Sequence, residues 1–150
     1  MDARSAGGTV AGPEVVWSVL SAVEDWPRWM PTVTAVERVQ ARGEGPHCGG
    51  GIGVGSTFEV AQPRLGRGLW VVTEWVPGLS FTWVSLRPGV RTTATHRIGA
   101  EEGGTGIELG ITWEGPGAWF VRAMFGRMTQ HYTDLELSSL VAAAEAKASA

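Results

Sequence analysis

The sequence predicts an α+β fold in which a Trp-rich antiparallel sheet wraps around one long C-terminal helix. Three observations predict it. Between residues 57 and 114, β-rich segments follow one another with only Pro-Gly or Gly-rich turns between them. Strands joined this way form an antiparallel meander, and with no intervening helices the sheet is not a parallel one. From Ala118 to Ala148 the chain has no proline and only Gly126 as glycine. Finally, there are eight Trp in 150 residues. An indole is hard to fit fully inside a small core and its N–H wants a partner. Some of these rings are therefore expected to line a space rather than fill one. A Trp-rich core with no cavity is the competing reading.

Composition bounds the rest. Hydrophobic residues make up 43% and charged residues 18%, which is globular rather than disordered. The length suits one domain spanning 1–150, with about eight loose residues expected at each end. Net charge is −3 and the 12 Lys and Arg are scattered, without the basic stripe that nucleic acid requires. No apolar run approaches the roughly 20 residues that span a bilayer. Met1 to Gly8 has no apolar stretch of the secretory kind. Cys48 is the single cysteine, so no intramolecular disulfide forms and a reducing cytoplasm is the expected location. A monomer or homodimer is expected.

The elements read in order. Thr9-Val10-Ala11 could end a short, weakly patterned first strand. Gly12-Pro13-Glu14 starts a helix, since Pro suits the first turn and Glu the positive end of the dipole. Val16, Val19, Leu20 and Val23 form its apolar face. Asp25-Trp26-Pro27 breaks it, and Trp26, Trp29 and Met30 are expected in a short second helical turn ended by Pro31. Thr32–Val39 is β-rich. The glycine-rich stretch 42–55 reads as a loop; its glycines match no phosphate-binding pattern and no helix follows. Strands are predicted at Thr57–Gln62, Leu69–Val76, Ser80–Leu86, Arg91–Ile98 and Gly106–Glu114. In the last helix Val121, Met124, Phe125, Met128, Tyr132 and Leu135 make one stripe. At about 1.5 Å per residue that helix is about 45 Å long, enough to cross the domain.

Strand, two short helices, meander and long helix is the helix-grip order, and here the sequence resembles the START-like (SRPBCC) superfamily, in its polyketide cyclase/dehydrase branch. The residues that carry the likeness are Val16-Trp17, Val23-Glu24-Asp25-Trp26-Pro27-Arg28-Trp29, Gly55-Ser56-Thr57-Phe58, Trp70-Val71-Val72-Thr73-Glu74-Trp75, Pro77-Gly78, Phe81-Thr82-Trp83 and His96-Arg97-Ile98. The likeness spans about residues 9–140. It implies a seven-stranded sheet gripping the C-terminal helix, with a cavity between them. It implies little about chemistry, because members share a scaffold rather than an active site.

Side chains alternate across a strand, so parity predicts which face inward. Ile107, Leu109, Ile111 and Trp113 share the apolar face of the last strand. His96 shares parity with Ile98, Phe81 with Trp83, and Phe58 with Val60 and Gln62. Trp70 and Val72 carry Glu74 inward, although Val71 and Trp75 have an almost equal claim. A single β-bulge inverts every assignment beyond it. The resulting ligand-facing set is Trp29 at the rim, Phe58, Gln62, Trp70, Phe81, Trp83, Leu109 and Trp113, with Met124, Met128 and Tyr132 opposite them on the helix. Apolar walls with a few polar groups suit an apolar or aromatic small molecule.

Within that set His96 and Glu74 are the pair able to move protons. Imidazole titrates near neutrality, and burial raises a carboxyl towards it. An aldol cyclisation or dehydration needs such a base. Alternatively His96 is a core histidine bonded to a backbone carbonyl, and Glu74 a solvated strand-end carboxylate. Arg87 and Arg91 flank the Pro88-Gly89 turn; they could grip an acidic group at a cavity mouth, but the favoured reading is a solvated turn. His47, Cys48 and His131 are too scattered for a metal, and no serine lies in a nucleophile elbow. No cofactor or metal is expected. Two functions follow: a cofactor-free cyclase, aromatase or dehydratase, or a non-catalytic carrier or sensor of a hydrophobic ligand. A protein-interaction module is a third, favoured by an apolar patch over Trp75 or Trp119.

Overall fold

The computed structural model describes residues 1–39 and 51–150. The chain runs β1 (Ala3–Thr9), α1 (Pro13–Leu20), a 3-10 helix (Val23–Arg28), β2 (Ala35–Val39), β3 (Thr57–Gln62), β4 (Gly66–Val76), β5 (Ser80–Arg87), β6 (Val90–Glu101), β7 (Gly104–Glu114) and α2 (Ala118–Ala148). The seven strands form one antiparallel sheet in the order β1-β7-β6-β5-β4-β3-β2. Consecutive strands pair from β2 to β7, and β1 joins on the far side of β7. Most of the loop predicted over 42–55, with His47 and Cys48, lies outside the described residues.

Each element has a local cause. Pro13 and Glu14 open α1, which buries Val16, Val19 and Leu20. The following helix is 3-10 and holds Pro27 inside it, so it lies earlier than the turn predicted through Met30. It is anchored by Trp26, whose Nε1 donates to the Leu20 carbonyl at 3.0 Å. That bond satisfies one of the carbonyls a helix end leaves unpaired.

β1 forms fully although it lacks an apolar run, and it occupies residues where the sequence predicted a loose end. Ladder pairing from Ala3–Ile111 to Thr9–Thr105 holds one side. Helix α2 holds its face: the Arg4 N–H donates to Gln130 Oε1 at 3.1 Å, Gln130 Nε2 donates to the Arg4 carbonyl at 2.8 Å, and Ser5 bonds Asp134. Small residues permit this approach. A methyl on Gly7 would meet Leu137 Cδ2 at 3.2 Å. At the other end α2 stays helical to Ala148, where fraying was predicted.

Two departures from strand parity matter. Val72 pairs with Trp83 and Trp75 with Phe81, so the four residues Val72 to Trp75 face the three from Phe81 to Trp83; the register shifts between Val72 and Glu74. This bulge turns Glu74 to the exposed outer face and Trp75 inward, against α1 and Phe81. The second departure concerns α2. Its buried residues are Ala118, Thr133, Leu140 and Ala144, so its inward line passes through Phe125, Thr129, Thr133 and Glu136. Met124 is 62% exposed.

Candidate functional site

The space between sheet and helix has a filled end and an open end. At the filled end Trp83 is the hub. Its ring lies 5.3 Å from Trp26, 5.6 Å from Phe81, 6.1 Å from Phe58 and 5.8 Å from His96. Phe58 and Phe81 are fully buried. At the open end a cavity of about 380 Å³ lies between the sheet and the N-terminal half of α2. Trp70, Ile111 and Trp113 wall it from the sheet, and Val121, Phe125 and Tyr132 from the helix. Gln62, Ser85, Thr129 and Glu136 are among the polar groups in those walls, and exposed Arg64 and Arg87 stand at the rim. A smaller space of about 50 Å³ continues inward, lined by Gln62, Trp70, Trp83, His96, Leu109 and Glu136 among others. It has room for one or two waters but not for a ring.

The predicted site residues divide accordingly. Gln62, Trp70, Trp113 and Tyr132 line the large cavity. Trp83, His96 and Leu109 face the small one. Phe58 and Phe81 point inward but are packed solid. Trp29 is half-buried against Trp26 at 6.4 Å, away from both spaces. Met124 and Met128 line neither space, because the helix is rotated from the predicted stripe. Glu74 is on the opposite face of the sheet, placed there by the bulge. Arg87 borders the cavity, whereas Arg91 faces solvent.

His96 is held tightly. Its ring stacks on Phe81 at 4.1 Å with planes 13° apart, and Nδ1 lies 3.2 Å from the Phe81 carbonyl oxygen. A carbonyl only accepts, so Nδ1 carries the hydrogen and Nε2 is left as the acceptor nitrogen. Burial among aromatic rings pushes its pKa down to about 4, although the Phe81 carbonyl favours the charged form. His96 is therefore neutral at physiological pH and a weak base.

Glu136 was not singled out by sequence. It borders both spaces and accepts from Thr32 Oγ1 at 3.1 Å. Burial raises its pKa to about 7, opposed by the Thr32 bond. The residue keeps some surface, but that surface borders the cavity and the carboxyl lies deep. A signal for it existed: one helical turn before Leu140 is Glu136, and the same face continues to Thr133 and Thr129. Reading the stripe from its apolar residues led to Met124 and Met128 instead.

Tyr132 ties the two walls together. Its hydroxyl donates to the Pro63 carbonyl at 2.7 Å, linking α2 to the turn between β3 and β4. In that turn Arg64 has φ 68°, the left-handed region that non-glycine residues seldom enter.

A seven-stranded sheet gripping one long helix defines the helix-grip fold. The chain belongs to the START-like superfamily: residues 9–145 match the family described as polyketide cyclase / dehydrase and lipid transport. No curated protein matches the sequence. Among solved structures, a protein of Thermus thermophilus superposes with TM-score 0.72 at 18% identity, covering 97% of both chains. The di-domain ARO/CYC StfQ of the steffimycin biosynthetic pathway gives 0.74 at 13% identity, covering 98% of this chain and 51% of that one. The Zhui aromatase/cyclase of Streptomyces sp. R1128 gives 0.69 at 15% identity, covering 95% and 92%. At these identities the likeness is one of fold. Among the described residues no helix is long and apolar enough to cross a membrane.

Proposed function

We propose that this protein binds a mostly apolar, aromatic small molecule in the open cavity and performs a cofactor-free acid–base step on it, of the cyclase, aromatase or dehydratase kind. The observation that carries the reading is Glu136: a carboxyl with a pKa of about 7, set in an otherwise largely apolar cavity between the indoles of Trp70 and Trp113 and helix α2. A group whose pKa matches the working pH can both take and return a proton. The family and the aromatase/cyclase neighbours support the reaction class.

The chemistry asks little else of the chain. Glu136 as carboxylate removes a proton from the carbon beside a ligand carbonyl, leaving an enolate. The enolate carbon attacks a second carbonyl, forming the ring bond. The resulting alkoxide takes the proton back from the Glu136 carboxylic acid. Loss of water then repeats the proton removal at the same carbon, and Glu136 passes that proton to the departing hydroxyl, so that water leaves and the carboxylate is restored. Walls of rings hold the ligand folded, and effective concentration supplies much of the rate. The proton-transfer role falls to Glu136 rather than to Glu74 or His96, and neutral His96 keeps the inner end ordered.

A test needs no natural substrate. In deuterium oxide, 2-acetonaphthone exchanges its methyl protons slowly. The wild-type protein is expected to accelerate that exchange. Glu136→Gln should bind the ketone equally well and lose about 100-fold or more of the acceleration. Exchange by the variant at the wild-type rate would remove Glu136 from the mechanism. Binding without any acceleration would leave the protein a carrier or sensor, the reading favoured by the preponderance of rings over titratable groups in the walls.

A further inference from the structure

We infer that the outer end of the cavity carries a subsite for an oxyanion, so that the ligand is an aromatic or apolar body bearing one acidic group. This rests on the reading that the cavity binds a ligand and specifies which class.

The subsite is built over Gly68. A methyl group placed on that residue would lie 3.3 Å from Arg87 Nη2, 3.6 Å from Ser85 Oγ and 3.7 Å from Trp70 Nε1. All four residues line the cavity. A guanidinium, a hydroxyl and an indole N–H thus converge on one point, and the absence of a side chain at Gly68 leaves that point open. Two of the three can only donate, and the hydroxyl can donate as well.

The donors are held and unspent. Arg87 Nη2 donates to the Arg67 carbonyl at 2.9 Å, which fixes the guanidinium over Gly68 while leaving most of its five N–H groups for a ligand. Among the described residues, Arg87 has no carboxylate within ion-pair distance; Arg67, its neighbour, pairs with Glu59 instead. Ser85 is buried, yet neither its Oγ nor Trp70 Nε1 bonds another described residue, and neither is sealed from the cavity. Exposed Arg64 adds a second positive charge at the same rim.

Charge decides between a neutral carbonyl and an anion. A fixed cation beside neutral donors is the arrangement that binds carboxylate or phosphate, and hydrogen bonds to a charged partner are about twice as strong as neutral ones. Glu136, the carboxyl that lines the cavity, sits on the inner side where it borders the smaller space. The cavity is therefore polarised, cationic at the rim and protonatable within. A ligand anchored by an acid at the rim would present its other end to Glu136.

Calorimetric titration of three probes tests this: 2-naphthoate, 2-naphthyl phosphate and methyl 2-naphthoate. At low salt at least one of the two anions should bind about tenfold or more tightly than the ester, and 1 M salt should erase most of that advantage. The preferred anion separates a carboxylate subsite from a phosphate one. Arg87→Gln should weaken the anion about tenfold and the ester less than twofold. Gly68→Ala, which fills the point of convergence, should do the same with the guanidinium intact. Equal binding of ester and anions overturns the subsite while leaving the cavity reading in place. Loss of ester and anion affinity alike in both variants also overturns it, since that is the mark of a merely structural role. If none of the three binds the wild type, the cavity reading fails and the subsite with it.

Discussion

The two ends of the space beneath α2 are built from the same residue types and do opposite things. At the closed end Trp26, Phe58, Phe81 and Trp83 interlock, and even the histidine is stacked flat on a ring. At the open end Trp70, Trp113 and Phe125 face one another across about 380 Å³. The difference lies in the helix. Its C-terminal half inserts Leu140 and Ala144 into the core, while its N-terminal half buries little besides Ala118. One half of the helix is thus a structural member and the other a roof. Aromatic content alone does not make a pocket; the depth to which the helix sinks into the sheet does.

That contrast can be broken most forcefully by truncating one ring at each end. Phe81→Ala should cost about 3–5 kcal/mol, whereas Phe125→Ala, half-exposed above a space already empty, should cost about 1 kcal/mol. Urea denaturation compares them, and equal losses would mean that both ends are core.

Next in size is the pH dependence of stability. Glu136 has an ordinary pKa of 4.5 and a folded one of about 7. Between those values the unfolded chain releases a proton that the folded one keeps, so stability falls as pH rises, by up to about 3 kcal/mol. His96 goes from 6.5 unfolded to about 4 folded. Between those values the unfolded chain binds a proton that the folded one does not, so stability rises with pH. The two oppose each other from pH 4.5 to 6.5. Glu136→Gln should therefore be more stable than wild type above about pH 7 by up to about 3 kcal/mol. Its stability should climb from about pH 4 to 6.5, where the wild type stays nearly level. Thermal melts across about pH 4–8 read both slopes. A variant that tracks the wild type throughout would show that the cavity hydrates Glu136 like a surface group.

The smallest effect sharpens the roof. Tyr132→Phe removes the bond to the Pro63 carbonyl and should cost about 1 kcal/mol or less. Hydrogen exchange should accelerate in the turn between β3 and β4 and remain unchanged around Phe81. Acceleration at both ends would mean that the bond supports the whole domain.

Much of the fold was legible because its signals are local. Pro77-Gly78 and Pro88-Gly89 mark turns by chemistry alone, and the Pro-free stretch 118–148 could hardly be anything but helix. β1 was faint because its stability comes from a ladder with β7 and from polar bonds to α2, both distant in sequence. Among the candidate site residues, inward parity held for Trp70, His96 and Trp113, whose strands are unbroken up to those positions. It failed for Glu74, which lies just past a register shift that leaves no mark in composition. Glu136 escaped for a different reason. A carboxyl in an apolar stripe looks like a surface residue until the rotation of the helix is known, and that rotation is set by Leu140 and Ala144 against the core.

The bulge at Thr73 acts on β4 as a dislocation acts on a crystal row. Upstream of it the even-numbered residues Trp70 and Val72 look inward; downstream the phase has slipped by one and Trp75 does. Trp75 then meets Trp17 and Phe81, each at 5.3 Å, and plugs the closed end. Were the strand in phase throughout, Glu74 would stand there instead, and a carboxyl would replace a ring at that end of the barrel-like space. Deleting Thr73 should remove the bulge and keep both faces as they are, with Glu74 still opposite Thr82 and Trp75 still opposite Phe81. How the strand takes up a single surplus residue thus decides whether a ring or a carboxyl faces inward at the closed end.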